Sequence, residues 1–356
     1  MPIPELYHTC RKMMKDLRPE ERVTMKRNFS WLLFGLYKSR SVHLSKVAEK
    51  IPGTAYLPSV TRRMRRLLNN PVIQVRAWYE PLAKSIIQRL AHREIRLIVD
   101  GSKVGSGHQL LLVAIAFRSR SIPLAWTWVK GSRGHSTSHK QMALLAYVHG
   151  LIPANSKVLL VGDAEVGVVE VQKLLQKWHW KYVLRQKGRY LLKQNGRCSF
   201  QRLDSLVKKP GQSQWLEDVL LTAKYAYPVN FLAYWKPGEK DPWLLATNLA
   251  SSQATIKAYR RRMWIEETFG DMKRNGFDLE RSHLRHFLRL SRLTLAVVLL
   301  YVWLVAFGSQ VIKSGQRRLV DRSDRRDLSV FRIGRNMAER RITNGSKLNI
   351  SFVLYP

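Results

Sequence analysis

The sequence predicts an α/β fold in which a mixed-sheet core is interrupted by a β-rich insertion and preceded by an all-α region. Apolar, β-branched runs at 95–99, 110–117, 122–129, 158–161 and 182–185 combine with helical patterns at 138–149 and about 168–178, in the order β-β-β-α-β-α-β. Residues 1 to about 90 carry only helical patterns. Residues 187–250 carry short β-type pieces, divided by turn signals such as Asn195-Gly196 and Pro210-Gly211. The expected organisation is a helical region (1–92), a core (93–186 and 251–310), the insertion (187–250) and a basic tail (311–356).

In the helical region, residues 20–37 are amphipathic, with Val23, Phe29, Leu32, Leu33 and Leu36 for the core. A short helix at 44–50, a turn at Ile51-Pro52-Gly53-Thr54 and a second helix at about 59–69 follow. The second helix carries Arg62, Arg63, Arg65 and Arg66 beside Met64, Leu67 and Leu68. Two short helices around a Gly turn resemble a helix-turn-helix whose second helix enters a DNA groove. An ordinary basic surface helix has the same pattern, and the sequence alone leaves both open.

In the core, the first strand ends in Asp100-Gly101-Ser102 and the fourth in Gly162-Asp163-Ala164-Glu165. An Asp after a strand commonly serves a turn. If strands one and four are central neighbours, however, Asp100 and Asp163 meet at one sheet edge. The insertion has β-type pieces at 190–192, 219–221, 230–235 and 243–247.

Residues 259–273 are expected to form one helix, with no Pro and Gly270 as the only Gly. At roughly 100° per residue, Tyr259, Arg262, Glu266 and Lys273 fall within about 60° of one another, while Glu267 points about 80° away. A solvated charged face gives the same stripe. Residues 281–290 and an apolar helix through 307 come next. The Arg-rich tail is expected to be partly ordered at best and to end in a strand-like run at 348–355.

Composition narrows the function. The 356 residues are 45% apolar, enough for a sizeable core and two or three domains. Lys plus Arg number 62 against 25 Asp plus Glu, a net +37 spread along the chain, which calls for a polyanionic partner. Cys10 and Cys198 form neither a metal-ligand spacing nor a disulfide framework, which fits a reducing compartment. The opening Met-Pro-Ile-Pro-Glu does not read as a signal peptide. Residues 293–312 are uncharged and long enough to cross a bilayer. Arg289 and Arg292 precede them and Arg317 and Arg318 follow, so neither end is the positive side, and a buried core helix is expected without a membrane partner.

The set Tyr259, Arg262, Glu266 and Lys273 fits Y-x2-R-x3-E-x6-K. With Asp100 and Asp163, it resembles the bacterial insertion-sequence transposases of family four, which are cut-and-paste DDE enzymes with an RNase H-like core. Trp243-Leu244-Leu245-Ala246-Thr247 is similar to the strand that closes that family's β insertion. The resemblance spans roughly residues 95–305. It implies that Asp100, Asp163 and Glu266 are the catalytic, metal-holding carboxylates. It also implies that Tyr259, Arg262 and Lys273 contact DNA phosphates near the transposon end, and that Trp243 stacks on a base flipped from the duplex. A core indole is the alternative for Trp243, and Trp235 is the spare candidate.

The chemistry agrees with this reading. Phosphodiester cleavage and strand transfer need an oxygen nucleophile activated and a leaving oxygen stabilised, which two divalent ions can do. Mg²⁺ prefers carboxylate oxygens, with Mn²⁺ as a substitute, and Glu165 is placed to support the site. The implied partners are double-stranded DNA (terminal inverted repeats and target) and a second copy in an end-synapsed homodimer. The implied location is the bacterial cytoplasm, at the nucleoid. Two other functions are compatible: a metal-dependent DNA nuclease of the same fold, and a DNA-binding regulator derived from a transposase. The regulator would need a missing carboxylate, and none is missing.

Overall fold

The N-terminal apolar periodicities fold into helices α1 (Glu5–Leu17), α2 (Val23–Ser39), α3 (Leu44–Glu49), α4 (Leu57–Asn69) and α5 (Val75–Leu90). The computed structural model describes residues 4–90, 94–105, 107–130 and 136–355. The boundary expected at 92–93 and the first three residues of the chain lie outside the described residues. The two short helices around a Gly turn are present as α3 and α4. The buried face of α4 is Val60, Met64, Leu67 and Leu68.

The strands are β1 (Ile95–Val104), β2 (His108–Phe117), β3 (Arg120–Lys130), β4 (Val158–Gly162), β5 (Lys181–Arg185), β6 (Leu191–Lys193), β7 (Gln201–Arg202), β8 (Ser213–Leu221), β9 (Tyr227–Tyr234) and β10 (Trp243–Thr247). They form one sheet in the order β3-β2-β1-β4-β5-β10-β9-β8-β6-β7. β1, β4 and β5 run parallel, joined through α6 (Ser138–His149) and α7 (Val169–Lys177), and the flanking pairs are antiparallel. The strands of residues 187–250 continue the same sheet, because β10 pairs with β5 on one side and β9 on the other. They keep a small core of their own around Leu192, Leu203, Leu221 and Phe231.

After β10 come α8 (Ser252–Tyr259), a 3₁₀ turn (Arg260–Arg262), α9 (Met263–Met272), α10 (Phe287–Lys313) and α11 (Val330–Thr343). The apolar segment is a core helix as expected. α10 is long and apolar enough to cross a membrane, yet 89% of its most apolar stretch is buried inside the protein. It touches α2, α4, α5, α9, α11 and β3. α10 begins at Phe287, after a 3₁₀ turn at Leu279–Arg281 and a loop.

The tail departs from expectation. It is ordered through α11, whose buried Val330, Phe331, Ile333, Met337 and Ala338 complete the core. α10 and α11 meet at glycine on both sides. A Cβ on Gly308 would lie 1.9 Å from the Val330 carbonyl, and one on Gly334 would lie 1.9 Å from the Leu304 carbonyl. The run at 348–355 forms no strand. Leu348 O accepts from Thr9 Oγ1 at 3.1 Å, and Tyr355 N donates to Ser309 Oγ at 3.0 Å.

Candidate active site

Strand register brings Asp100 and Asp163 together. β1 and β4 pair Val99 with Gly162, so the next residue of each strand stands where parallel neighbours lie about 4.8 Å apart. This is the adjacency that the strand order predicted. β1 continues past Asp100 on its ladder with β2, where Asp100 pairs with Leu112. Asp163 opens the turn after β4, and its carbonyl accepts from Val166 N at 2.9 Å. Gly101 N donates to Asp100 Oδ1 at 2.7 Å. The missing side chain at Gly101 leaves room for Gln109, whose Nε2 a Cβ would meet at 2.0 Å.

That amide ties the two strand ends together. Gln109 Nε2 donates to Glu165 Oε2 at 2.8 Å, Ser136 donates to Glu165 Oε1, and Gln141 Nε2 donates to the Glu165 carbonyl at 3.0 Å. Glu165 therefore straps the turn carrying Asp163 to β2. The sequence placed Glu165 beside the site but gave no sign of its partners, because a Gln inside an apolar strand carries no pattern.

Glu266 comes from a helix that is not continuous. In place of one helix over 259–273, α8 ends at Tyr259, Arg260–Arg262 tighten into a 3₁₀ turn, and α9 runs to Met272 with Lys273 as its C-cap. At three residues per turn, positions i and i+3 eclipse, which stacks Arg262 beneath Tyr259 and aims it at β1. Its Nη1 donates to Asp100 Oδ2 at 2.9 Å, and its Nη2 donates to Glu266 Oε1. α9 is fixed from below by Thr268, whose Oγ1 accepts from Ser121 N at 2.9 Å and lies 3.1 Å from the Tyr301 hydroxyl. Glu267 points away, exposed, 3.3 Å from Arg120, as the helical stripe predicted.

The electrostatics follow from burial. Asp100 is 8% exposed, and its carboxyl is pushed up to about 7, mainly by desolvation and then by Asp163 and Glu266, against the pull of Arg262. Burial alone would lower Arg262, but Tyr259, Asp100, Glu266 and Asp163 outweigh it and hold the guanidinium charged. Tyr259 is 2% exposed and is pushed up to about 12 by burial. Its hydroxyl is buried without a protein partner, so in this conformation it offers no surface to a phosphate. Lys273 Nζ donates to Lys103 O at 2.6 Å and stands 4.0 Å from Glu280. Burial lowers its pKa.

Among the described residues, no three His, Cys, Asp or Glu side chains stand close enough to hold a metal ion together, and the Arg262 guanidinium fills the space between Asp100 and Glu266. The donors nevertheless suit a hard divalent cation. They are all oxygen, two are adjacent through register, the third is one guanidinium away, and an orphaned hydroxyl belongs to the same charged cluster.

Trp243, at the start of β10, is half-buried. Its ring lies edge-on to Tyr259 at 5.0 Å and to Tyr234 at 5.9 Å, so it touches the site through Tyr259. Trp235 is tied off, its Nε1 donating to Glu239 O at 2.9 Å. On α4, away from this cluster, Arg62, Arg65 and Arg66 are exposed and Arg63 is half-buried. Buried Arg292 of α10 donates to Leu68 O at 2.9 Å and to Ile73 O at 3.1 Å, which fixes the end of α4 to the core.

A mixed sheet with two aspartates at one edge, covered by a helix bearing Arg and Glu, is the build of a phosphoryl-transfer enzyme. Residues 92–303, over half of the chain, match the family described as Transposase DDE domain, and the chain belongs to that family. It is a DDE transposase, which cuts DNA and transfers strands in transposition with divalent metal ions. No curated protein matches the chain. Among solved structures it is similar to a piggyBac transposase, described as a synaptic complex with hairpin DNA. The identity is 10%, the TM-score is 0.46, and the match covers 94% of this chain and 76% of the other.

Proposed function

We propose that this transposase is of the insertion-sequence family-four type, with an RNase H-like core, and that it binds terminal inverted repeats and moves them by cut-and-paste. The observation that supports this most is the Val99–Gly162 register, which sets Asp100 beside Asp163 while Arg262 joins Asp100 to Glu266. In this reading those three carboxylates hold two Mg²⁺ ions, with Mn²⁺ as a substitute. The ions, when bound, activate the attacking oxygen and stabilise the leaving one.

The chain's own residues do the rest. Asp100, in its buried pocket, binds its cation as the ionised carboxylate. Arg262 and Lys273 grip the phosphates beside the scissile bond. Tyr259 seats Arg262 and Trp243, and reaches a phosphate only if its hydroxyl turns outward. Trp243 stacks on an extruded base. Arg62, Arg63, Arg65 and Arg66 of α4 recognise the ends, held in register with the core by Arg292. A homodimer pairs two ends, in the bacterial cytoplasm at the nucleoid.

Incubating the protein with end-bearing DNA, a target plasmid and Mg²⁺ separates this reading from the nuclease and the regulator: inserted ends, cut ends only, or no product. Replacing Asp100, Asp163 or Glu266 by Ala should abolish cleavage and spare end binding, whereas Glu267→Ala should be mild. An essential Glu267 with a dispensable Glu266 would sink the assignment.

A further inference from the structure

A second basic site lies beyond Lys273. A cleft of about 380 Å³ opens between the β1–β2 turn and the loop after α9, lined by His43, His108, Glu280, Arg281, His283 and Arg285. Three imidazoles and two guanidinium groups stand around Glu280, which also faces Lys273 at 4.0 Å, and Asp278 lies 3.7 Å from Arg281. The rings of His43 and His283 lie 4.9 Å apart. The two guanidinium groups and the neighbouring imidazoles suit an anion.

Its place in the fold indicates which anion. β1 runs from Asp100 through Lys103, whose carbonyl accepts from Lys273 Nζ at 2.6 Å, to Gly105, whose N–H donates to Glu280 O at 3.1 Å. Catalytic carboxylate, lysine contact and cleft thus follow one another along β1 and the turn that leaves it. Five residues at about 3.3 Å each span roughly 16 Å, and a duplex covers that length with about five nucleotides at 3.4 Å per step. The far rim is His43, the residue that precedes α3, so the cleft lies between the end of β1 beyond Lys103 and the helix pair that carries the exposed arginines.

We infer that this cleft binds the sugar-phosphate backbone of the DNA strand leaving the catalytic site along β1, about five nucleotides from the reacting phosphodiester. The inference rests on the assignment of Asp100 and Lys273 to DNA given above. His43 makes the contact pH-sensitive. Burial lowers the pKa of His43, as do His283, Lys46 and Arg281, while Asp278 opposes them. Glu280 and Arg285 face the same space, and His108 contributes its ring beside Phe287. A bound phosphate opposes that lowering, so DNA binding takes up protons.

The test uses the full chain and a duplex of arbitrary sequence. Replacing Arg281 and Arg285 together by Gln should reduce the slope of log affinity against log salt by about 2, near 0.9 per lost phosphate contact. In a Cys198→Ser background, where the remaining natural cysteine, Cys10, is buried, Ser282→Cys places a reporter thiol in the cleft. Duplex should slow its alkylation several-fold, and millimolar inorganic phosphate should not. An unchanged slope with an unprotected thiol overturns the cleft alone, and protection by phosphate as strong as by duplex makes it a free-anion site. A wild-type chain that binds no duplex overturns both this inference and the function it rests on.

Discussion

Arg262 and Asp100 form a buried ion pair across 162 residues of sequence, 2.9 Å from Nη1 to Oδ2, with only about a tenth of either side chain exposed. The other end of the same guanidinium holds Glu266. One organic cation therefore pairs with two carboxylates assigned to metal, and it competes with a divalent ion for the same oxygens.

Arg262→Gln should accordingly bind Mn²⁺ or Mg²⁺ about tenfold more tightly by calorimetry, a gain of about 1.4 kcal/mol. Without metal the variant should melt earlier than the wild type, because a buried carboxylate loses its partner, and added metal should restore the melting point. Equal metal affinity in variant and wild type would show that the guanidinium does not compete.

Asp271 offers a pH test away from the metal ligands. It is 4% exposed and paired with Arg120 at 2.6 Å, and burial pushes its carboxyl up to about 6 from 3.8. The folded state then keeps a proton that the unfolded chain releases. This group's contribution to stability is full below about pH 3.8 and is lost as pH rises through 6, by on the order of 3 kcal/mol. Relative to wild type, Asp271→Asn should gain that much between pH 4 and 7 in urea unfolding. A pH-independent difference would mean that Asp271 stays ionised throughout.

For Trp243 the two readings separate by step. A stacking platform returns about 1–3 kcal/mol per base, so Trp243→Ala should leave the first nick working and slow the later steps that distort the duplex. Trp243→Phe should fall between. Loss of a structural indole packed on Tyr234 and Tyr259 would instead cost about 3–5 kcal/mol and depress every step together. A time course of nicked, double-cut and joined DNA beside a melting curve distinguishes the two.

The glycine contact between α10 and α11 carries the last prediction. Gly308→Ala or Gly334→Ala forces the helices apart at a backbone-to-backbone approach and should destabilise the protein by about 1–3 kcal/mol or more. Alanine normally favours a helix over glycine by up to about 1 kcal/mol, so a stabilised variant would contradict the close contact.

The β-β-β-α-β-α-β order of the core, the two aspartates at one sheet edge and the buried α10 were legible, because periodicity and strand ends report them directly. The 3₁₀ turn at Arg260–Arg262 was not. Nothing in Arg-Arg-Arg breaks a helix, and the tightening accompanies a contact with Asp100 that is remote in sequence. The Glu165–Gln109 strap was hidden for the same reason. The tail was misread because its positive charge conceals the apolar face of α11, and the notches at Gly308 and Gly334 have meaning only when the two helices meet. The run at 348–355 has strand composition but finds side chains of α1 and α10 in place of a ladder.

The length of chain between Asp163 and Glu266 also sets an order of events as the chain folds. Asp100 and Asp163 stand at the end of a β1–β4 pairing whose residues all precede Asp163 in the chain. Glu266 lies 19 residues after the end of β10, and its helix reaches β1 and β3 only across the whole intervening β-rich segment. Pairings so distant in sequence close slowly. Early intermediates should therefore carry the basic N-terminal helices and two of the three carboxylates, holding DNA without cutting it, and cleavage should appear only with the slowest folding phase.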